Sequence, residues 1–123
     1  MTIWQGRAPI RRRRGSGQRQ IRRRYGEQIG PVLDAWIDDE DLWIRRTALL
    51  AQKGMKGETD VERLFGYCQR VADQEEFFIQ KAIGWALRDY ARTNPQAVKR
   101  FLEEWGGRLS NLAVREASKY LKG

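Results

Sequence analysis

A tryptophan on the polar face of a predicted helix is the residue of this sequence best placed to form a site. Residues 76–90 have the apolar spacing of an amphipathic helix, which turns about 100° per residue. The core stripe of this helix consists of Ile79, Ile83, Ala86 and Tyr90. Trp85 points roughly 140° away from the middle of that stripe, between Lys81 at i−4 and Arg88 at i+3. We interpret Trp85 as a candidate site residue, the alternative being a tryptophan that packs against another helix.

An internal repeat places further cations on the same surface. Three segments of loose similarity follow one another at intervals of 35 residues: 43–47, 78–82 and 113–117. Arg46 and Lys81 share one position of this repeat, and Glu116 occupies it in the third unit, where we expect the cationic row to stop. The core stripe of the helix around Arg46 is predicted to consist of Ile44, Ala48, Ala51 and Met55. Arg46 and Lys53 lie opposite that stripe, whereas Trp43 and Phe78 are expected to pack at junctions between repeats.

Start and stop signals divide the chain into helices that must position these residues. Acidic residues 38–41 supply a cap for the helix that is predicted to end near residue 55. Asp60 caps the next helix, residue 73 or 74 precedes the one that carries Trp85, and Asn94 with Pro95 starts another. Ser110 caps a last helix to about residue 121, and no segment alternates like a strand. The predicted fold class is all-α, an α-α superhelix of HEAT- or armadillo-like repeats in which one helix row lines a concave surface.

Composition excludes several classes of function. The chain of 123 residues is long enough for one domain with a real core. It contains no histidine and one cysteine, Cys68, which argues against a typical zinc site, a histidine-dependent triad and an intrachain disulfide. No apolar run has the length of a membrane span, and the first ten residues do not resemble a secretory signal. We therefore expect no metal, no cofactor and no membrane partner, and a reducing, cytoplasmic location.

The positive charge belongs to the start of the chain. Residues 1–24 contain nine arginines and no acidic residue, and the remaining chain has 15 basic and 16 acidic residues. Residues 1–25 are predicted to be a disordered Arg-rich tail, and 26–123 the helical-repeat domain. The tail could be an arm that binds phosphates, a localisation signal or a non-native start; we favour a non-native start, from a truncated gene or a shifted reading frame. The charge of the folded domain therefore depends on the placement of its residues.

Four stretches of the sequence resemble the DNA alkylation repair family, the AlkD-like DNA glycosylases built from HEAT-like repeats: residues 39–50, 77–90, 93–95 and 109–117. The most specific is 77–88, Phe-Phe-Ile-Gln-Lys-Ala-Ile-Gly-Trp-Ala-Leu-Arg. The resemblance covers roughly residues 32–121, and it corresponds only to the C-terminal portion of the family. It implies an all-helical solenoid whose concave basic face holds duplex DNA.

The resemblance also implies a reaction, the excision of positively charged N3- and N7-alkylated purines by hydrolysis of the N-glycosidic bond. It maps the cleft tryptophan of the family onto Trp85, an arginine near the DNA backbone onto Arg46, and a further basic contact onto Arg88. An indole face can stabilise a cationic base, and an arginine can hold the flanking phosphate. We expect Trp85 and Arg46 to be catalytic. The expected contacts with alkylated duplex DNA are Arg45, Arg46, Lys53, Lys81 and Arg88.

One element of the family pattern is missing. A helix with a Trp-Trp-Asp-like motif supplies a second cleft tryptophan and the catalytic aspartate in family members, and nothing in this sequence matches it. A carboxylate is expected to stabilise an oxocarbenium-like centre or to position water, by analogy with glycoside hydrolysis. We therefore expect weak or no glycosylase activity from the 123-residue chain. The alternative function is a non-catalytic HEAT-like scaffold that binds DNA or protein.

Overall fold

The computed structural model describes residues 25–121, and these residues form six α-helices. The helices are α1 (Gly30–Trp36), α2 (Leu42–Leu50), α3 (Val61–Arg70), α4 (Phe77–Ala91), α5 (Pro95–Trp105) and α6 (Asn111–Ala117). A π-helical turn at Tyr25–Ile29 precedes α1, and 3₁₀ turns occupy Lys56–Glu58 and Gly106–Arg108. No strand occurs between residues 25 and 121, so the all-α prediction is confirmed there. Of the predicted tail, residues 1–25, only Tyr25 belongs to the described residues, and it begins the π-helical turn.

The helices pack in two layers. In one layer α4 lies between α2 and α6, and it packs against both. We call this the even layer. In the other, the odd layer, Asp34 of α1 contacts Arg63 of α3, and Phe65 of α3 stacks on Phe101 of α5 at 4.6 Å between ring centroids. Successive helix pairs therefore lie side by side, which is the arrangement that the 35-residue spacing predicted for the even layer.

The core stripe predicted for α4 is confirmed, whereas the one predicted for α2 is confirmed at Ala48 and wrong at Ala51. Ile79 and Ile83 are fully buried, and Tyr90 is 8% exposed. On α2 the buried residues are Arg45, Ala48 and Leu49, while Ala51 follows the helix and is exposed. The buried stripe is displaced by one residue because the guanidinium of Arg45 finds polar partners inside the protein.

Four of the predicted caps are confirmed. The side chains of Asp41, Asp60, Asn94 and Ser110 each accept a backbone N–H of the first helical turn. The N-cap of α4 is Glu76 rather than residue 73 or 74, and it makes no side-chain cap bond. Two helices are shorter than predicted, since α2 ends at Leu50 and α6 at Ala117. Between residues 25 and 121, no helix combines the length and apolarity needed to cross a membrane.

Candidate nucleic-acid interface

Trp85 lies on the even layer with three cationic side chains around its indole. The Lys81 Nζ is 5.0 Å from the ring centroid, the Lys53 Nζ is 5.8 Å away, and the Arg46 guanidinium carbon is 6.0 Å away. The indole is partly exposed, so it remains accessible to a ligand. We call these four residues the Trp85 cluster. The sequence predicted that Arg46, Lys53, Lys81 and Trp85 share a surface, and the structure brings them together.

Two helices and one turn position the cluster. Lys81 precedes Trp85 by one helical turn on α4, and Arg46 comes from the neighbouring α2. Lys53 lies in the turn after α2, where Gly54 adopts a φ of 86° that favours glycine. The backbone N–H of Gly54 donates to Asp89 Oδ2 at 2.9 Å, which fixes this turn to α4.

Asp89 is a site residue that sequence reasoning missed. It follows Trp85 by four residues and therefore lies on the same side of α4, and this spacing was visible in the sequence. Its carboxylate lines a cavity together with Trp85 and Lys53. Its contact with Gly54 was not visible, because it joins residues 35 apart.

An exposed aromatic patch adjoins the cluster at the start of α2 and α4. Trp43 contacts Phe78 at 5.0 Å between centroids, and Phe78 contacts Phe77 at 5.1 Å. Trp43 and Phe78 therefore meet across the junction of two repeats as predicted, but they are 52% and 43% exposed rather than buried. The Arg46 guanidinium lies 5.9 Å from the Trp43 ring, and Lys81 Nζ lies 5.4 Å from the Phe77 ring. Cationic and aromatic side chains thus alternate along this face, as they do on surfaces that bind nucleic acids.

Arg45 does not belong to this face. It is 8% exposed, and its guanidinium forms two bonds with the Glu76 carboxylate, at 3.0 and 3.1 Å. It also donates to the side chain of Gln74. These contacts tie α2 to the loop before α4, and they hold the pKa of Glu76 below its usual value. The sequence expectation that Arg45 contacts DNA is corrected, because a helix turns by about 100° between Arg45 and Arg46.

Arg88 lies on the same face but has an acidic partner. Its Nη1 is 2.9 Å from Glu116 Oε1, and the two side chains are 31% and 23% exposed. Glu116 is the residue at which the cationic row was predicted to stop, and the ion pair shows how it ends. Arg88 is partly available to an anion that could displace Glu116.

The charges of this face suit a polyanion that carries aromatic groups. Between residues 25 and 121 no three His, Cys, Asp or Glu side chains are grouped as metal ligands. Arginine and lysine pair with phosphates, and an indole stacks on a base or attracts a cationic one. Together the fold and the site define an all-helical protein of stacked helix pairs with a cationic, aromatic face.

Comparison with known proteins gives the family. Residues 16–121 match the model of a family described as DNA alkylation repair enzyme, so the chain belongs to that family. The match begins inside the segment that was predicted to be a tail. A solved structure described as a predicted DNA alkylation repair enzyme from Enterococcus faecalis has 38% sequence identity and a TM-score of 0.70. The similarity covers 86% of this chain and 52% of that one, so the chain spans about half the length of that relative. A search of curated proteins found no match.

Proposed function

We propose that this chain binds duplex DNA on its even layer and presents Trp85 to a positively charged, N3- or N7-alkylated purine. The observation that supports this proposal is the placement of Arg46, Lys53 and Lys81 within about 6 Å of one accessible indole. DNA phosphates would pair with these cations, and the indole would face the alkylated base. The family match supports DNA as the partner.

Because Arg46, Lys53 and Lys81 surround Trp85, a cationic base can approach the indole only together with the phosphates of the DNA backbone. Two like charges about 5 Å apart repel by roughly 3 kcal/mol at an effective dielectric constant of about 20. The attraction between an indole and a cation is smaller, about 0.5–2 kcal/mol. A free cationic base would therefore be repelled from Trp85, whereas a base within DNA arrives with phosphates that neutralise Arg46, Lys53 and Lys81.

The proposed reaction is hydrolysis of the N-glycosidic bond, with the cationic base as a ready leaving group. Trp85 would stabilise positive charge on the base and on the sugar as the bond breaks. The 123-residue chain is expected to excise weakly, because it has no match to the family helix that bears the catalytic aspartate. DNA binding without excision, by a HEAT-like scaffold, is the second candidate function. The location that we propose is a bacterial-type cytoplasm, where the protein would associate with the nucleoid through DNA.

Two assays on the full chain test the proposal. Binding to a fluorescein-labelled duplex that contains one N7-methylguanine is measured for the wild type, for Trp85→Ala with Arg46→Ala, and for Arg100→Ala as a control. Arg100 is an exposed arginine of α5 in the odd layer, so its loss changes the net charge without touching the Trp85 cluster. The double variant should bind at least tenfold more weakly than the control, while equal affinities would refute the binding face. Release of N7-methylguanine from the same duplex then separates weak excision from binding alone.

A further inference from the structure

The cavity that Asp89 lines with Trp85 and Lys53 is a cationic pocket, and it extends from the Trp85 cluster toward the C-terminal end of α4. It is a cavity of about 130 Å³ lined by Lys53, Trp85, Arg88, Asp89, Arg92 and Tyr120. This volume is far larger than the space that one water molecule requires. Three cations and two aromatic rings surround it, and Asp89 contributes a carboxylate. The pocket therefore has an excess of positive charge.

Arg92 and Tyr120 form the outer wall of the pocket, and sequence reasoning assigned them no role. Arg92 is the C-cap of α4, and its guanidinium lies 4.7 Å from the Tyr120 ring. Its Nη2 donates to the Tyr120 hydroxyl oxygen at 3.1 Å. Since Tyr120 accepts in this bond, its own O–H remains a donor. The pair thus offers guanidinium and hydroxyl donors, a set that suits an anionic oxygen.

Both carboxylates near the pocket are held by other groups. Asp89 Oδ2 accepts the backbone N–H of Gly54 at 2.9 Å. Glu116 pairs with Arg88 at 2.9 Å. Its carboxylate therefore does not compete with an incoming anion for Arg92 or Lys53. An anion that enters the pocket meets Lys53 and Arg92 directly, and it can draw Arg88 away from Glu116.

We propose that this pocket binds one phosphodiester group of the DNA strand whose alkylated base faces Trp85. The proposal rests on the proposed function, because the strand must already lie on the even layer. Trp85 belongs to the Trp85 cluster and also lines the pocket, so the cluster and the pocket are adjacent. One DNA strand can therefore contact both. The pocket extends the proposed binding face along α4 to Arg92 and to Tyr120, which follows α6. Arg92 and Tyr120 are the residues that bind the phosphate there.

The test measures duplex affinity against salt concentration for Arg92→Gln, Tyr120→Phe and the control Arg100→Gln, each checked by circular dichroism for folding. Loss of one phosphate contact reduces the slope of log K against log salt by about 0.9, which is about an eightfold loss of affinity at 0.1 M salt. Arg92→Gln should show this change. Tyr120→Phe should weaken binding about fivefold with an unchanged slope, because it removes a hydrogen-bond donor rather than a charge. Arg100→Gln should keep the wild-type slope.

A duplex series with a single neutral methylphosphonate at successive positions locates the group. At one position of the methylphosphonate, its effect on affinity and the effect of Arg92→Gln should not be additive, since each change removes the same contact. If Arg92→Gln and Tyr120→Phe bind like Arg100→Gln, the pocket proposal is wrong, and the proposed function stands as long as Trp85→Ala with Arg46→Ala still weakens binding. If Arg92→Gln weakens binding and that double variant does not, the Trp85 face is wrong. A wild-type chain that does not bind DNA overturns both.

Discussion

The adjacent arginines Arg45 and Arg46 should have opposite effects when each is replaced by alanine. Arg45 lies inside the protein with its guanidinium on Glu76, and Arg46 lies on the surface near Trp85. We predict that Arg45→Ala lowers the free energy of unfolding and leaves the DNA affinity of the folded protein unchanged. Arg46→Ala should weaken DNA binding and change stability by less than about 0.5 kcal/mol.

The size of the Arg45 effect follows from its contacts. Hydrogen bonds to charged groups contribute about 1.5–3 kcal/mol when they are shielded from water. The Glu76 side chain is 44% exposed, which screens the pair, and Arg45 Nε is buried without a partner among the described residues. We therefore assign about 1 kcal/mol to the pair and about 1–2 kcal/mol to the buried stem and the bond with Gln74. The expected loss is about 2–3 kcal/mol.

Urea unfolding followed by circular dichroism measures the first effect. With a slope of about 1.5 kcal/mol per molar urea, the midpoint of Arg45→Ala should fall by roughly 1.3–2 M. Duplex binding at a temperature where both variants are folded measures the second effect. An unchanged midpoint for Arg45→Ala together with a shallower salt dependence of binding would refute the reasoning, because it would place Arg45 on the DNA.

Three further predictions concern packing, acid stability and thiol reactivity. Gly84→Ala should destabilise the fold by about 1–3 kcal/mol in thermal unfolding, because its Cβ would come within 2.7 Å of Glu116 Cβ; a wild-type melting temperature would contradict this contact between α4 and α6. Arg63 and Arg45 lower the pKa of Asp34 and of Glu76 by hydrogen bonding. Their stabilisation is present above the unfolded pKa values of about 4 and is lost as the pH falls, so urea midpoints should drop between pH 5 and pH 3 rather than stay level. Burial raises the pKa of the Cys68 thiol to about 12, so Ellman's reagent should react with it only after unfolding, and rapid reaction of the native protein would show an open core.

The helices could be predicted because local signals determine them, and the Trp85 cluster because the 35-residue repeat places Arg46 and Lys81 at the same position of neighbouring helices. Caps such as Asp60 and Asn94 act within one helical turn, and the buried stripe of α4 is apolar. On α2 the apolar spacing predicted a buried stripe that is displaced by one residue from the observed one. A pattern of apolar residues assigns a charged Arg45 to the surface, whereas the structure buries it against Glu76, which is 31 residues away.

The pocket at Arg92 and Tyr120 could not be predicted, because it depends on contacts between distant residues. Tyr120 follows the end of α6, and its position beside Arg92 depends on the close packing of α4 against α6 at Gly84. Neither residue belongs to a periodic pattern. The ion pair between Arg88 and Glu116 could not be predicted for the same reason, since it joins two residues that are 28 positions apart in the sequence.

The central claim is that Trp85 and its cations form a face for alkylated duplex DNA. Its most direct test compares the affinity of the full chain for two duplexes of the same sequence, one with a single N7-methylguanine and one undamaged, using wild type and Trp85→Ala. The account predicts that the wild type prefers the methylated duplex and that Trp85→Ala loses this preference while it retains most of its affinity for the undamaged duplex. An equal preference in the two proteins would contradict the role assigned to Trp85.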